Sequence, residues 1–136
     1  MEMPFSFLYN LPTILIMLAA IAAAGSIVIF TLHTGISPMP SSRKARATIV
    51  KMLLESGIND GVVYELGAGW GMLAISISRA FPRANVVAAE LSPVPYIFSQ
   101  VYTRLSGIRN VRYKRCDFFA MPVEDADAIV CYLWPD

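Results

Sequence analysis

Val62-Val63-Tyr64-Glu65-Leu66-Gly67-Ala68-Gly69-Trp70-Gly71 decides how this chain is read. A β-branched, apolar run ends in an acid, and three glycines follow at alternate positions. The pattern predicts a buried strand running into a turn where the main chain comes very close to a ligand. Glycine has no Cβ, takes positive φ readily, and lets a nucleotide-sized group lie against the backbone. A carboxylate just before such a turn repels phosphate and attracts a cation. Glu65 therefore separates two large classes of cofactor.

Strand-like and helix-like patterns alternate on the C-terminal side of this motif. Met72 to Phe81 reads as a helix with apolar Leu73, Ile75, Ile77 and Ala80, broken near Pro82. Asn85-Val86-Val87-Ala88-Ala89-Glu90 is a second strand, again closed by a carboxylate. Ser92 then caps a helix with Pro93 at its first position, running to about Leu105 and stopped by Gly107. Val111 to Cys116 alternates apolar and basic residues, as a strand near a sheet edge would, and Asp117 follows at once. Ala128 to Leu133 is a fourth, fully apolar strand. This alternation predicts an α/β domain with a parallel, doubly wound sheet. Ligands of such sheets bind beyond the carboxyl ends of the strands. Glu65, Gly67, Gly69, Glu90, Asp117 and Tyr132 all fall at or just past those ends and converge on one edge.

The N-terminal side has a different composition. Leu11 to Leu32 carries no charge and is long enough, at roughly 33 Å as a helix, to cross a hydrocarbon core of ~30 Å. A signal peptide would open on a basic region, whereas this N-terminus carries Glu2. A core helix this apolar would need a larger protein around it. A transmembrane helix is the expectation, with Tyr9 and His33 at its two interfaces. Arg43, Lys44, Arg46 and Lys51 follow the span and no Lys or Arg precedes it, which places the soluble part on the cytoplasmic side. Residues 33–42 form a stiff connector after a tail at 1–10 and the span at 11–32. Ser42 or Ser41 caps a helix to about Ser56, with an apolar stripe of Ala45, Ile49, Met52 and Leu53 and with Gly57 at its end. Its first turn is basic and opposes the helix dipole, so an anionic membrane surface is the expected compensation.

The 136 residues hold 11 Lys and Arg against 10 Asp and Glu, so the total charge points to no nucleic-acid partner. Its distribution is uneven: Glu2 is the single charged residue before Arg43. Cys116 and Cys131 show no metal-ligand spacing and read as reduced thiols in a cytosol-like compartment. No metal is expected.

Two cofactors suit a glycine-rich first turn with an acid ending the second strand. Dinucleotides use G-x-G-x-x-G, in which a helix N-terminus faces a pyrophosphate. Here the third glycine comes one residue early, and Glu65 precedes the turn. S-adenosylmethionine (SAM) has a sulfonium, an ammonium and a carboxylate in place of phosphate, a charge set that Glu65 suits. Glu90 lies where a carboxylate accepts both ribose hydroxyls. Asp117 is placed to accept the adenine amino group, with Phe118 or Phe119 against the ring.

Glu65-Leu66-Gly67-Ala68-Gly69-Trp70-Gly71, Glu90 and Cys116-Asp117-Phe118-Phe119 resemble the first three motifs of class I SAM-dependent methyltransferases. The resemblance covers about residues 60 to 134. The single N-terminal span, Pro38-Met39-Pro40-Ser41 and the run Asp125 to Leu133 are similar to small membrane-anchored members that include protein-lysine N-methyltransferases. The resemblance implies that Glu65, Gly67, Ala68 and Gly69 line the methionine end of SAM. It also implies that Glu90 holds the ribose, that Asp117 and Phe118 hold the adenine, and that Tyr132 faces the transferred methyl. The acceptor would be a protein lysine or a small molecule near the membrane.

Class I methyltransferases have seven strands, and this chain reaches Trp134-Pro135-Asp136 after its fourth. Residues 43–136 are therefore expected to be a partial domain in which Ala128 to Leu133 is an apolar edge strand, completed by a partner or a missing segment. The alternatives are a non-catalytic membrane-anchored binding or interaction module and, third, an NAD-binding oxidoreductase.

Overall fold

In the computed structural model, which describes residues 11–35 and 39–133, a long helix precedes a small α/β domain. Tyr9, Pro38 and the Trp134-Pro135-Asp136 end lie outside the described residues. The first helix, α1 (Leu11–Thr34), contains no buried residue and is long and apolar enough to cross a membrane. It runs two residues past the expected end, so His33 belongs to the helix rather than to the connector.

The domain begins with α2 (Arg43–Glu55), where the Ser42 hydroxyl accepts the Ala45 N–H at 3.1 Å and Gly57 leaves the helix at φ +80°. The expected stripe needs one correction. Met52 is exposed, and Val50 packs on the core with Ile49 and Leu53 in its place. The neighbouring helix covers the side of α2 on which Val50 lies, because helical neighbours on a face need only fall within about 100° of each other. The i,i+4 pair Lys51–Glu55, 3.6 Å apart, is solvent-exposed and adds little.

Four strands follow: β1 (Asp60–Leu66), β2 (Arg83–Ala89), β3 (Val111–Lys114) and β4 (Ala128–Cys131). All pairs are parallel, in the order β3-β2-β1-β4. The helices α3 (Met72–Ala80) and α4 (Pro93–Leu105) make the crossovers from β1 to β2 and from β2 to β3. The direction of winding reverses at β1, as a doubly wound sheet requires. The helices α2, α3 and α4 all pack on one face. Two successive right-handed crossovers in the same direction place their helices on the same side. The β3–β4 link carries only the 3₁₀ turn Phe118–Ala120.

The helical face is the main core, where Leu73, Ala74 and Ile77 of α3 meet Val63, Val86, Ala88 and Val130. The α4 helix joins this side through Thr103, whose Oγ1 lies 2.9 Å from Tyr113 Oη on β3. The opposite face is a smaller cluster of Tyr64, Val87, Ala89 and Met121, covered by the segment from Cys116 to Ala126. In that segment Asp125 accepts the Tyr64 hydroxyl at 2.8 Å, and Asp127 accepts the Val62 N–H at 2.7 Å. These two acids therefore fasten β4 to β1. On β4, Ile129 is 50% exposed on the less covered face, which agrees with an apolar edge strand.

Asn110 closes the domain. Its amide donates to Phe81 O at 3.1 Å and Ala84 O at 2.9 Å, its side-chain oxygen accepts the Ser78 hydroxyl, and its carbonyl accepts the Val86 N–H. One side chain thus satisfies the end of α3 and the start of β2. Asn110→Ala removes the bonds to Phe81 O, Ala84 O and the Ser78 hydroxyl together and should destabilise the domain by about 2 kcal/mol, read from urea unfolding of the detergent-solubilised chain.

Candidate functional site

The turn after β1 is built on backbone geometry. Gly67 N and Ala68 N both donate to Ala89 O, at 3.0 and 2.8 Å, which staples the turn to the end of β2. Gly67, Gly69 and Gly71 all have positive φ, at +76°, +53° and +77°. Two of them show why no side chain is present. A Cβ on Gly71 would collide with Tyr113 Oη and lie 2.7 Å from Ser99 Cβ, so this glycine lets α3 start against β3 and α4. A Cβ on Gly69 would meet nothing within 4 Å, so here the bare backbone faces open space.

That space is a cavity of about 450 Å³ beyond the strand ends. Glu65 near the end of β1, Glu90 after β2 and Asp117 after β3 all line it, together with Gly67, Ala68, Gly69, Phe118 and Tyr132. All the site residues expected from the sequence are brought together. Among the described lining residues there is no Lys or Arg, so three carboxylates share the cavity without a cation. Among the described residues no group of three or more His, Cys, Asp or Glu side chains is placed to hold a metal.

The three acids differ in state. Glu90 is buried, and both its oxygens are engaged: Oε2 accepts Gly69 N–H and Oε1 accepts Ser92 N–H, each at 2.7 Å. The cap of α4 is accordingly made by Glu90, since the Ser92 side chain makes no capping bond. A carboxylate can accept about four hydrogen bonds, so lone pairs remain for a ligand. Asp117 is exposed and caps the 3₁₀ turn, accepting Phe119 N–H at 3.0 Å. Phe118 is half-buried under it, with the exposed Phe119 ring 4.6 Å away.

Glu65 is the strained member. It is 3% exposed, and its Oε2 is buried without a hydrogen-bond partner among the described residues. Burial pushes its pKa from the ordinary 4.5 up to about 8; the Ala74 N–H offsets this in part, and the Glu90 charge adds to it. Nothing in the folded domain stabilises this charge fully, which is the arrangement a cationic ligand would complete.

The far wall comes from outside the sheet. His33 and Thr34 at the end of α1, with Met39 to Ser42, line the same cavity. Trp70 stands edge-on to Phe98 of α4, with ring centroids 5.2 Å apart, and also borders the cavity. Sequence reasoning missed Leu133, whose Cδ2 would lie 2.7 Å from a Cβ on Gly67. It also missed Ser99, Thr103 and Tyr113, which support the turn from beneath. Burial raises the Tyr113 hydroxyl to about 12, although its bond to Thr103 works against this. The signal for the two α4 residues was their i,i+4 spacing of small hydroxyls on an otherwise apolar helix.

No protein-family model matches the chain, and no curated protein matches it. Solved structures do match. An RNA methyltransferase from Salinibacter ruber, in complex with S-adenosyl-L-homocysteine (SAH), is 25% identical over 71% of this chain with a TM-score of 0.59. A precorrin-6y C5,15-methyltransferase from Geobacter metallireducens is 22% identical over 68%, with a TM-score of 0.58. A protein-L-isoaspartate O-methyltransferase is 26% identical over 67%, with a TM-score of 0.56. The chain spans 62%, 49% and 29% of those three proteins. Its four-stranded parallel sheet therefore has the Rossmann-like fold of class I SAM-dependent methyltransferases.

Glu65 also sets a pH dependence. Its pKa is raised on folding, so its contribution to stability is complete below about 4.5 and is lost as pH rises through about 8. Urea midpoints of the wild type should fall across that interval, and Glu65→Gln should flatten the profile.

Proposed function

We propose that the chain is a membrane-anchored methyltransferase that uses SAM. The observation that carries this reading is the cavity itself: three carboxylates and a bare glycine turn, with an orphaned buried oxygen on Glu65 and no Lys or Arg in the described lining. A dinucleotide would bring two phosphates into that field. SAM brings a net cation.

SAM supplies an electrophilic methyl group on a sulfonium. The residues of this chain would hold it as follows. Glu65 would take the ammonium, which converts a destabilised carboxylate into a paired one. Gly67, Ala68 and Gly69 would offer backbone to the methionine end. Glu90 would use its remaining lone pairs for the ribose hydroxyls, while Asp117 and Phe118 would hold the adenine. Tyr132 would border the acceptor side. Positioning and exclusion of water by these walls are the available catalytic means, since methyl transfer to a neutral nucleophile needs no covalent protein intermediate. The acceptor in this reading is a protein lysine or a small molecule near the membrane. The length and apolarity of α1, and the basic start of α2 with no acid in its first turn, support attachment to an anionic surface with the domain on the cytoplasmic side.

A second reading is an anchored cofactor-binding or interaction module without turnover. Half-exposed Ile129 on the less covered face of β4 favours it, because a partner would pack there.

Calorimetry of the detergent-solubilised chain with SAH, and NAD as the control, tests the proposal. Binding of SAH alone is expected; binding of NAD alone would overturn the cofactor assignment. Glu90→Ala should weaken SAH binding by roughly 10- to 100-fold, through lost ribose bonds and a loosened turn. SAH binding without methyl transfer to any lysine or small-molecule acceptor offered in membranes would select the second reading.

A further inference from the structure

The outer face of α4 has no role in the cavity. On the inner side of this helix, Ser99 and Thr103 are buried. Its outer side presents Ile97, Phe98, Val101, Tyr102 and Leu105, which are 60%, 42%, 50%, 40% and 82% exposed. Their spacing, i, i+1, i+4, i+5 and i+8, makes one continuous apolar row. Phe98 stacks on Tyr102 at 5.8 Å and meets Trp70 edge-on, so the row includes an aromatic group.

Two further observations indicate what covers this row. The first is charge. From Leu91 to Asn110 the chain has two cations, the exposed Arg104 on α4 and Arg109 in the loop after it, and no acid. The second is position. Cα atoms of α1 and α4 approach within 8 Å. In the second half of α1 the half-buried residues Ala23, Ser26, Ile27, Phe30, Thr31 and Thr34 fall on one helical face. The end of α1 therefore runs beside the domain instead of standing away from it.

We propose that the outer face of α4 seats in the headgroup layer of an anionic bilayer, in the leaflet crossed by the C-terminal half of α1. This rests on the reading of α1 as an anchor. A helix alongside a spanning helix shares its depth, so its apolar row meets acyl chains and its Trp and Tyr lie at the level such residues favour. Arg104 and Arg109 meet lipid phosphate. The cavity, lined by His33 and Thr34, then opens beside the membrane surface.

The test uses the full-length chain reconstituted in phosphatidylcholine vesicles, or in equal parts phosphatidylcholine and phosphatidylserine. Cys116→Ser and Cys131→Ser remove the native thiols. A fluorophore is then placed in turn at Val101→Cys on α4, Leu18→Cys in α1 and Glu55→Cys on α2. Headgroup-proximal nitroxide lipids report the interface, and iodide reports water. Lipid quenching several-fold stronger at 101 than at 55, increased by phosphatidylserine, is expected. Equal quenching in both vesicles overturns the electrostatic part. Lipid quenching at 18, with 101 behaving like 55, overturns the membrane face and leaves the anchor standing. Quenching by lipid at 101 but not at 18 upholds the face and overturns the anchor; at neither site, it overturns both. Shielding of 101 from both quenchers overturns the proposal in favour of a second copy or another protein on this row.

Discussion

Glu90 holds the cavity edge together through two short bonds. Its carboxylate accepts one N–H from the turn after β1 and another from the start of α4. That bridge fixes the Gly69 N–H relative to the N-terminus of α4. Charge-assisted bonds of this kind are among the stronger polar contacts in a protein. In the proposed reading, the group that would receive the ribose hydroxyls is thus also one that shapes the wall. Ligand affinity and local order are consequently coupled at one residue.

Glu65 has the opposite role. Glu90 is satisfied by the fold, whereas Glu65 is left with one oxygen unpaired and with a carboxylate neighbour. Burial of a charge without a partner costs several kcal/mol, or the group takes up a proton. Two acids beside the same turn therefore serve different ends: one holds the cavity edge together and the other favours a cation in the cavity.

Much of this was legible in the sequence because the motifs are local. The β1–glycine–α3 passage, the acids after β2 and β3 and the positive φ of the glycines all follow from residues within a few positions of one another. What escaped was long-range. Asn110 looks like an ordinary loop amide, and its role depends on carbonyls from Phe81 and Ala84. Ser99 and Thr103 are polar residues on a helix, yet both are buried, Ser99 against Gly71 and Thr103 against Tyr113. Met52 has the right spacing for the core of α2, but the face is set by where α3 lies. The single-sided helical layer likewise depends on the direction of successive crossovers, which the hydrophobic pattern does not record.

His33 and Thr34 have one more consequence. A flexible tether lets a domain sample a volume that grows with linker length. Here the end of the apolar helix is itself part of the cavity wall, so little slack separates anchor and site. If α1 spans a bilayer, as proposed, such a wall would work as a ruler and set the height above the lipid at which an acceptor atom must be presented. Selectivity would then come from geometry as well as from chemical contact, and the same nucleophile a few residues further from the membrane would stay out of reach.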